Sequence, residues 1–549
     1  MRLIKVSSAF AVLVFPWFLC PGLRAQTVAE RDTARWEMAE VRFGTSRAEK
    51  DSAATKLDAV FRHESGRELR VPGFWDGGKQ FLVRFCPPLE GEWRYTTESD
   101  RSDLNGRTGL LTVRSARPTV RGGVTIDPKA ADRLTFQNGE SYFPIAFECD
   151  WMFALDATNP HGIPKTEKLL DQIARSGFNQ VVLNVFAYDV NWVKDASLRA
   201  EHDFGSPNVF PFGGTNETPD HSRLNVEYFQ RLDRVISALH ERGIIAHLMI
   251  YVWNKRVNWP AADSPEDNRY FDYVVTRYQG FPNVIWDISK EALGYGHDDV
   301  NYITNRIHRL RELDAHRRLI TVHDYGYCRR FPQEVDFVSV QLWSSELYGV
   351  MRTTVDRFPG KPILNIEHGG YERSPYRVFV GDYTSPETCL ERAYQCVFAG
   401  TYPTHYWQGA AWNVVITDIE SLSVEDRPKL EYYRHLAMLV DKYGFNDLTA
   451  GQKHSNSGFC LTDQKRLFVY YVPKENDSVN LRLPKDFRGR KMTGTWIDPF
   501  TGAALEPIRK DVIQWPTFDV PRSLSGFAIL VIEVDESNHN ESPSPRTRQ

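Results

Sequence analysis

The chain carries little net charge for its length: 549 residues sum to a formal −4, with no long run of either sign. Nucleic-acid binding is not expected, because neutralising phosphates needs a concentrated basic face and these lysines and arginines are dispersed. Cysteine is also scarce. The seven residues show no CxxC and no Cys/His spacing of a metal site, so Cys86, Cys149, Cys328, Cys389, Cys396 and Cys460 read as mostly buried thiols. No GxGxxG or P-loop follows a strand-like run and no HExxH occurs. Nucleotide chemistry and zinc-dependent hydrolysis are therefore not expected, and no cofactor or metal is called for. After the first 25 residues no apolar run is long enough to cross a membrane.

Those first 25 residues differ from the rest. "MRLIK" is a basic start, "VSSAFAVLVFPWFLC" an apolar core, and "GLRAQ" offers Ala25 before a polar continuation. This is the pattern of a secretory signal peptide cleaved after Ala25. Export to the periplasm or medium is expected, with no membrane insertion afterwards.

Three regions follow. Residues 26–126 hold short alternating runs such as "KLDAVFRH", "QFLVRFCPP" and "GEWRYTTES", separated by Gly/Asp/Asn turns, as in an Ig-like β-sandwich. Residues 127–445 alternate near-continuous apolar strands with amphipathic helices. In "NVEYFQRLDRVISALHERG" the residues Phe229, Leu232, Val235, Ile236 and Leu239 share one face, and Gly243 is a C-terminal stop. Eight such strands predict an α/β fold, a (β/α)₈ barrel; a doubly wound sheet is the competing architecture. Residues 446–536 return to β, with "RLFVYYVP", "GTWIDPFTG" and "GFAILVIEV", and predict a second sandwich. The polar tail 537–549 is expected to be disordered.

Active sites of such barrels lie at the C-terminal ends of the strands. The residues at those ends are Asp150 and Trp151, Asn184, Tyr251 and Trp253, Lys290 and Glu291, His323, Gln341 and Trp343, Glu367 and His368, and Trp407. A single glutamate at a strand end is more often solvated or salt-bridged. Two of them, Glu291 on the fourth strand and Glu367 on the seventh, can face each other across a ligand. Glycoside hydrolysis needs such a pair, one acid to protonate the departing oxygen and one carboxylate to attack the anomeric carbon or activate water; a separation near 5 Å means retention and a wider one inversion. His323 and His368 read as hydrogen-bonding residues, and Asp287 as a residue facing the helices.

The strands "WDISKE" and "PILNIEHGG" resemble the acid/base and nucleophile strands of the large retaining glycosidase clan with both glutamates at those positions. More narrowly, "TFQNGESYFPIAFECDWMF" is similar to the opening of the apiosidase-like barrel family. "VPGFWDGGKQFLVRFCPPLEGEWRY" resembles the small sandwich that often precedes those barrels, and "GTWIDPFTG" the sandwich named for collagen binding. The resemblance implies an O-glycosidase with Glu291 as general acid/base and Glu367 as nucleophile. One departure stands out: where the clan has Asn before the acid/base, this chain has Lys290. With Lys255 and Arg256 it motivates a narrower expectation, a substrate carrying uronic carboxylates or sulfates. The alternative is a non-catalytic carbohydrate- or matrix-binding protein with an inactive barrel.

Overall fold

The computed structural model describes residues 29–47, 52–377 and 383–536. The signal peptide expected at 1–25 and the tail expected at 537–549 lie outside the described residues.

Eight parallel strands form the central sheet: β1 (Ala146–Glu148), β2 (Gln180–Asn184), β3 (Ile245–Val252), β4 (Val284–Lys290), β5 (Ile320–His323), β6 (Val338–Gln341), β7 (Ile363–Glu367) and β8 (Tyr402–His405). Their order is β5-β4-β3-β2-β1-β8-β7-β6. The remaining seam, between β5 and β6, is joined by Asp336 N donating to Ile320 O at 2.8 Å and Thr321 Oγ1 donating to Phe337 O at 2.9 Å. The result is a nearly closed (β/α)₈ barrel, and the doubly wound alternative falls. Its strand bodies are buried on both faces, which is why they read as unbroken apolar runs.

Helices α1 (Pro164–Arg175), α2 (Val226–Glu241), α3 (Pro265–Tyr278) and α4 (Val300–Leu313) cover the first half of the barrel, and α5 (Tyr325–Arg330), α6 (Leu347–Arg357), α7 (Pro386–Phe398) and α8 (Glu431–Tyr443) the second. Local chemistry sets their starts. The Asn225 and Ser264 side chains accept from Tyr228 N and Asp267 N, and Pro265 at the first helical position has no amide proton to leave unpaired. The five apolar residues of α2 named above are all buried, and Gly243 takes the left-handed φ of +68° that ends such a helix.

A three-stranded sheet of Val124–Asp127, Ala130–Phe136 and Ser141–Tyr142 caps the bottom of the barrel. Val124, Leu134, Phe136 and Tyr142 pack with the interior residues Ala146, Val182, Ile245 and Leu364. The cap therefore begins a few residues before the expected boundary at 127. The amino-terminal sandwich sets a five-stranded sheet against a three-stranded one over a core containing Phe61, Phe85 and Trp93. The carboxy-terminal unit has a six-stranded and a two-stranded sheet over Phe468, Trp496 and Leu530. All six cysteines of the described residues are free and buried. No helix of the described residues is long and apolar enough to cross a membrane.

The amino-terminal sandwich is pinned to the barrel by Arg84. Asp233 on α2 accepts from both Arg84 and Arg277 at 2.6 Å, and the two guanidiniums are 3% and 0% exposed. Burial would raise the Asp233 carboxyl, but the two arginines hold it below the usual carboxylate range. Asp233→Ala would remove the anion the two buried guanidiniums share, leaving Arg84 with Glu40 and Arg277 with Asp76, each at 2.9 Å. With those partners kept, a loss of about 1–3 kcal/mol in urea unfolding is expected, with Asp233→Asn losing less; a change under 1 kcal/mol in Asp233→Ala would mean that Glu40 and Asp76 suffice.

Candidate active site

Two irregularities in the sheet build the site. At the end of β4 the register with β5 shifts, so that Asp287 pairs with Thr321 but Lys290 with His323. Glu291 follows in the left-handed region with φ +58°, a conformation that costs a non-glycine residue on the order of 1–3 kcal/mol. A bulge re-aims side chains: Lys290 turns into the barrel and is fully buried, while Glu291 is partly exposed and faces the pocket. A second shift, between β6 and β7, sets Gln341 directly beside Glu367.

The two glutamates are thereby brought together. A carboxylate oxygen of each and a ring nitrogen of His323 all lie within 4.8 Å of one another. Gln341 Nε2 donates to Glu291 Oε1 and to Glu367 Oε2, both at 2.9 Å, and Asn254 Nδ2 donates to the other Glu291 oxygen. Glu367 Oε1 receives Tyr406 OH at 2.9 Å and Lys290 Nζ at 3.0 Å, with His323 Nε2 at 3.3 Å. Glu367 is thus held through Oε1, while among the described residues Oε2 meets Gln341 and, at 3.5 Å, Tyr371 OH. Burial alone would raise its carboxyl, but Lys290 and His323 overcome it and hold the group well below the usual carboxylate range.

Beneath the glutamates lies a buried charge cluster. Lys290 Nζ is 2.6 Å from Glu148 Oε1 and 3.6 Å from Asp150 Oδ2, and Lys255 Nζ is 3.9 Å from the same Asp150 oxygen. Burial opposes the charge on Lys290, yet Asp150, Glu148 and Glu367 raise its pKa well above that of a free lysine. Lys255 has weaker compensation. Burial pulls it down to about 8, against Asp150, and its Nζ has no hydrogen-bond partner. It sits 4.9 Å from the Trp412 ring centre and under 6 Å from those of Trp192 and Trp151.

These groups open into a pocket of about 410 Å³, a volume that suits a sugar unit or two. Trp192 and Trp412 come from the loops after β2 and β8 and meet at 4.8 Å between ring centres. Trp343 and Tyr295 also line the pocket, 41% and 49% exposed. Among the described residues, Glu291, His323 and Glu367 form the group that could share an ion; the Lys290 ammonium lies 3.0 Å from Glu367 Oε1.

The sequence family described as "Apiosidase-like, catalytic domain" matches residues 129–443, and a domain of unknown function, DUF5060, matches residues 32–100. The chain belongs to the apiosidase-like family. It is a glycoside hydrolase. No curated protein matches the sequence at a significant level. Among solved structures, a candidate glycoside hydrolase from Bacteroides vulgatus ATCC 8482 is 21% identical, with a TM-score of 0.74 over 92% of this chain and 100% of its own. A glycoside hydrolase family 5 protein of the same organism is 17% identical, with a TM-score of 0.55 over 76% of this chain and 95% of its own. At these identities the two structures speak for the fold alone.

Not every strand-end residue of this glycosidase reaches the pocket. Glu291, His323, Gln341, Trp343 and Glu367 line it, and Lys290 touches Glu367 from below. Asp150, Trp151 and Asn184 are fully buried, Asp150 within the charge cluster and Trp151 near Lys255. Tyr251 donates to Asp267 on α3. Trp253 stacks on His297 at 3.7 Å. His368 bonds its neighbour's carbonyl and is pulled down to about 3 by burial and Arg392; Trp407 donates to Arg373 O. Asp287 is corrected: it faces the barrel interior, 3.0 Å from His247 Nε2. Sequence reasoning missed Glu148, Asn254, Tyr406, Tyr371, Trp192 and Trp412.

Proposed function

We propose that this glycosidase cleaves the O-glycosidic bonds of a poly- or oligosaccharide with retention, Glu291 acting as acid/base and Glu367 as nucleophile. The observation that carries the reading is the spacing. Carboxylate oxygens that approach within 4.8 Å, bridged by the single Gln341 Nε2 at 2.9 Å from each, favour the close spacing of retaining enzymes, about 5–5.5 Å between carboxyl groups, over the about 6.5–9.5 Å of inverting ones. Glu367 is ionised and clamped at one oxygen. Its Oε2 attacks the anomeric carbon as Glu291 gives its proton to the departing oxygen; water, deprotonated by Glu291, then releases the sugar from Glu367. Proton NMR of the first sugar released from a panel of neutral, uronic and sulfated glycans should show the anomer of the substrate bond. The opposite anomer would sink the reading, and binding without any cleavage would favour the non-catalytic alternative.

The anionic-substrate expectation keeps one support. Lys290 is compensated by three carboxylates, whereas Lys255 borders the pocket with its ammonium buried beside Trp412 and without a hydrogen-bond partner. Its depressed pKa sets the sign: the ammonium is present below about pH 8 and lost above it. The KM for a uronic or sulfated substrate should then be flat below that pH and rise above it, and Lys255→Met should raise KM about tenfold or more and abolish the dependence. Equal KM for the neutral counterpart would remove the anionic class. Export rests on the leader pattern, and amino-terminal sequencing of the exported protein should start at Gln26.

A further inference from the structure

We propose that Glu148 and Lys290 form a buried counter-charge pair that holds Glu367 in place and keeps the cluster balanced when Glu367 becomes an ester. Both are positioning residues, and the proposal rests on the reading of Glu367 as nucleophile.

An ammonium beside a nucleophile is a mixed benefit. Lys290 Nζ, 3.0 Å from Glu367 Oε1, keeps that carboxylate ionised and oriented. If Glu367 were its only anion, however, esterification would leave a buried cation unpaired, a penalty of the kind that makes breaking a buried pair costly. Glu148 removes the difficulty. It lies closer to Lys290 than Glu367 does, at 2.6 Å against 3.0 Å, and is likewise 0% exposed. Tyr406 OH, 3.1 Å from Lys290 Nζ and 2.9 Å from Glu367 Oε1, bridges Lys290 and Glu367.

The charges can be followed through the reaction. In the first step the bond from Glu367 Oε2 to the anomeric carbon forms, the glycosidic C–O bond breaks, and the Glu291 proton goes to the departing oxygen. Glu367 becomes neutral. Lys290 and Lys255 then face Glu148 and Asp150, two cations against two anions within 3.9 Å contacts. Burial pushes Glu148 up in the free enzyme and Lys290 pulls it down, with Asp150 and Glu367 adding to the rise; esterification removes one of those two anions and leaves Glu148 as the partner of Lys290. In the second step water gives a proton to Glu291 and its oxygen to the anomeric carbon, and Glu367 regains its charge. Lysine at the position where the resembled clan carries Asn thus has its counterpart on β1.

The groups facing Glu367 are Lys290 from β4, His323 from β5, Gln341 from β6, Tyr371 and Tyr406 after β7 and β8, and Glu291 across Gln341. Among them Lys290 is the permanent cation. The test uses Lys290→Met, Glu148→Gln and the double variant of the full chain, checked for folding by circular dichroism, on an aryl glycoside that the wild type cleaves. Lys290→Met should move the acidic limb of the kcat/KM profile to higher pH by about one unit or more. Glu148→Gln should lower kcat/KM about tenfold or more and shrink any pre-steady-state burst, because the first step suffers and the second does not. The double variant should recover part of the Glu148→Gln loss, since the ammonium left with Asp150 at 3.6 Å in place of its 2.6 Å partner is gone. An unmoved acidic limb, or losses that multiply in the double variant, would overturn the pairing. If Lys290→Met does not fold, Glu148→Gln and the double variant still decide. Near-wild-type activity in Glu367→Gly would instead point to failure of the nucleophile reading, a separate outcome.

Discussion

Glu367→Gly is expected to lower turnover of an aryl glycoside by on the order of 10⁴-fold, the scale on which removing a covalent nucleophile acts, and sodium azide is expected to restore much of it. The vacated space is lined by groups that already hold an anion: Tyr406 OH, Lys290 and His323 converge on Glu367 Oε1, and Gln341 meets Oε2. A small anion entering there can attack the anomeric carbon in place of the carboxylate. With an activated leaving group no proton donor is needed, so the product should be a glycosyl azide of inverted configuration, identified by NMR. Glycosyl azide of retained configuration, or residual activity near that of the wild type, would mean that Glu367 is not the nucleophile. The prediction separates Glu367 from its neighbours, because His323, Tyr406 and Lys290 remain in place and each could otherwise be credited with the loss.

How much of this was legible in the sequence depended on whether side-chain alternation held. Along the strand bodies it did, and the apolar runs marked buried parallel strands; Glu367 was legible as the one acid closing β7, although the shift against β6 turns it to the same side as Ile366. Alternation failed at the end of β4. Lys290 and Glu291 point to different places because the register shifts against β5 and Glu291 takes a positive φ, and nothing in "WDISKE" signals either event. Lys290 accordingly read as a candidate for substrate anions, whereas its partner is Glu148. That residue was overlooked because it sits inside a three-residue strand and looks like part of the run leading to Asp150. The strand-end rule also recruited too many aromatics. Tyr251 and Trp407 follow the pattern, yet each donates to a protein acceptor away from the pocket. The tryptophans near Lys255, Trp192 and Trp412, ride on long loops where periodicity gives no signal. Asp287 misled for a simpler reason: a carboxylate in an apolar strand suggested the helical face, but the barrel interior supplies His247 and two backbone amides, Ser289 N and His323 N, to satisfy it.

For Glu291→Gln the loss should depend on the leaving group, and this distinguishes an acid/base from a residue that merely binds sugar. On a natural glycan the departing alkoxide needs a proton, and removing the donor should cost about 10²–10⁴-fold in kcat/KM. On a dinitrophenyl glycoside the leaving group is stable as an anion, so kcat/KM should stay within about tenfold of the wild type. The second step still lacks its base, so glycosyl-enzyme should accumulate and kcat and KM should fall together. Glutamine at 291 is close in shape to glutamate and keeps one acceptor oxygen for one of the two present donors, Gln341 Nε2 on Oε1 or Asn254 Nδ2 on Oε2, and a general collapse of the pocket would not produce that pattern. Equal losses on both substrates would assign Glu291 to binding. A leaving-group-dependent loss without any fall in KM would imply that water attacks directly, with Glu367 as its base, despite carboxylate oxygens that approach within 4.8 Å. Azide chemistry at Glu367 and the leaving-group dependence at Glu291 therefore test the two carboxylates separately, each through a step that the other residue cannot perform.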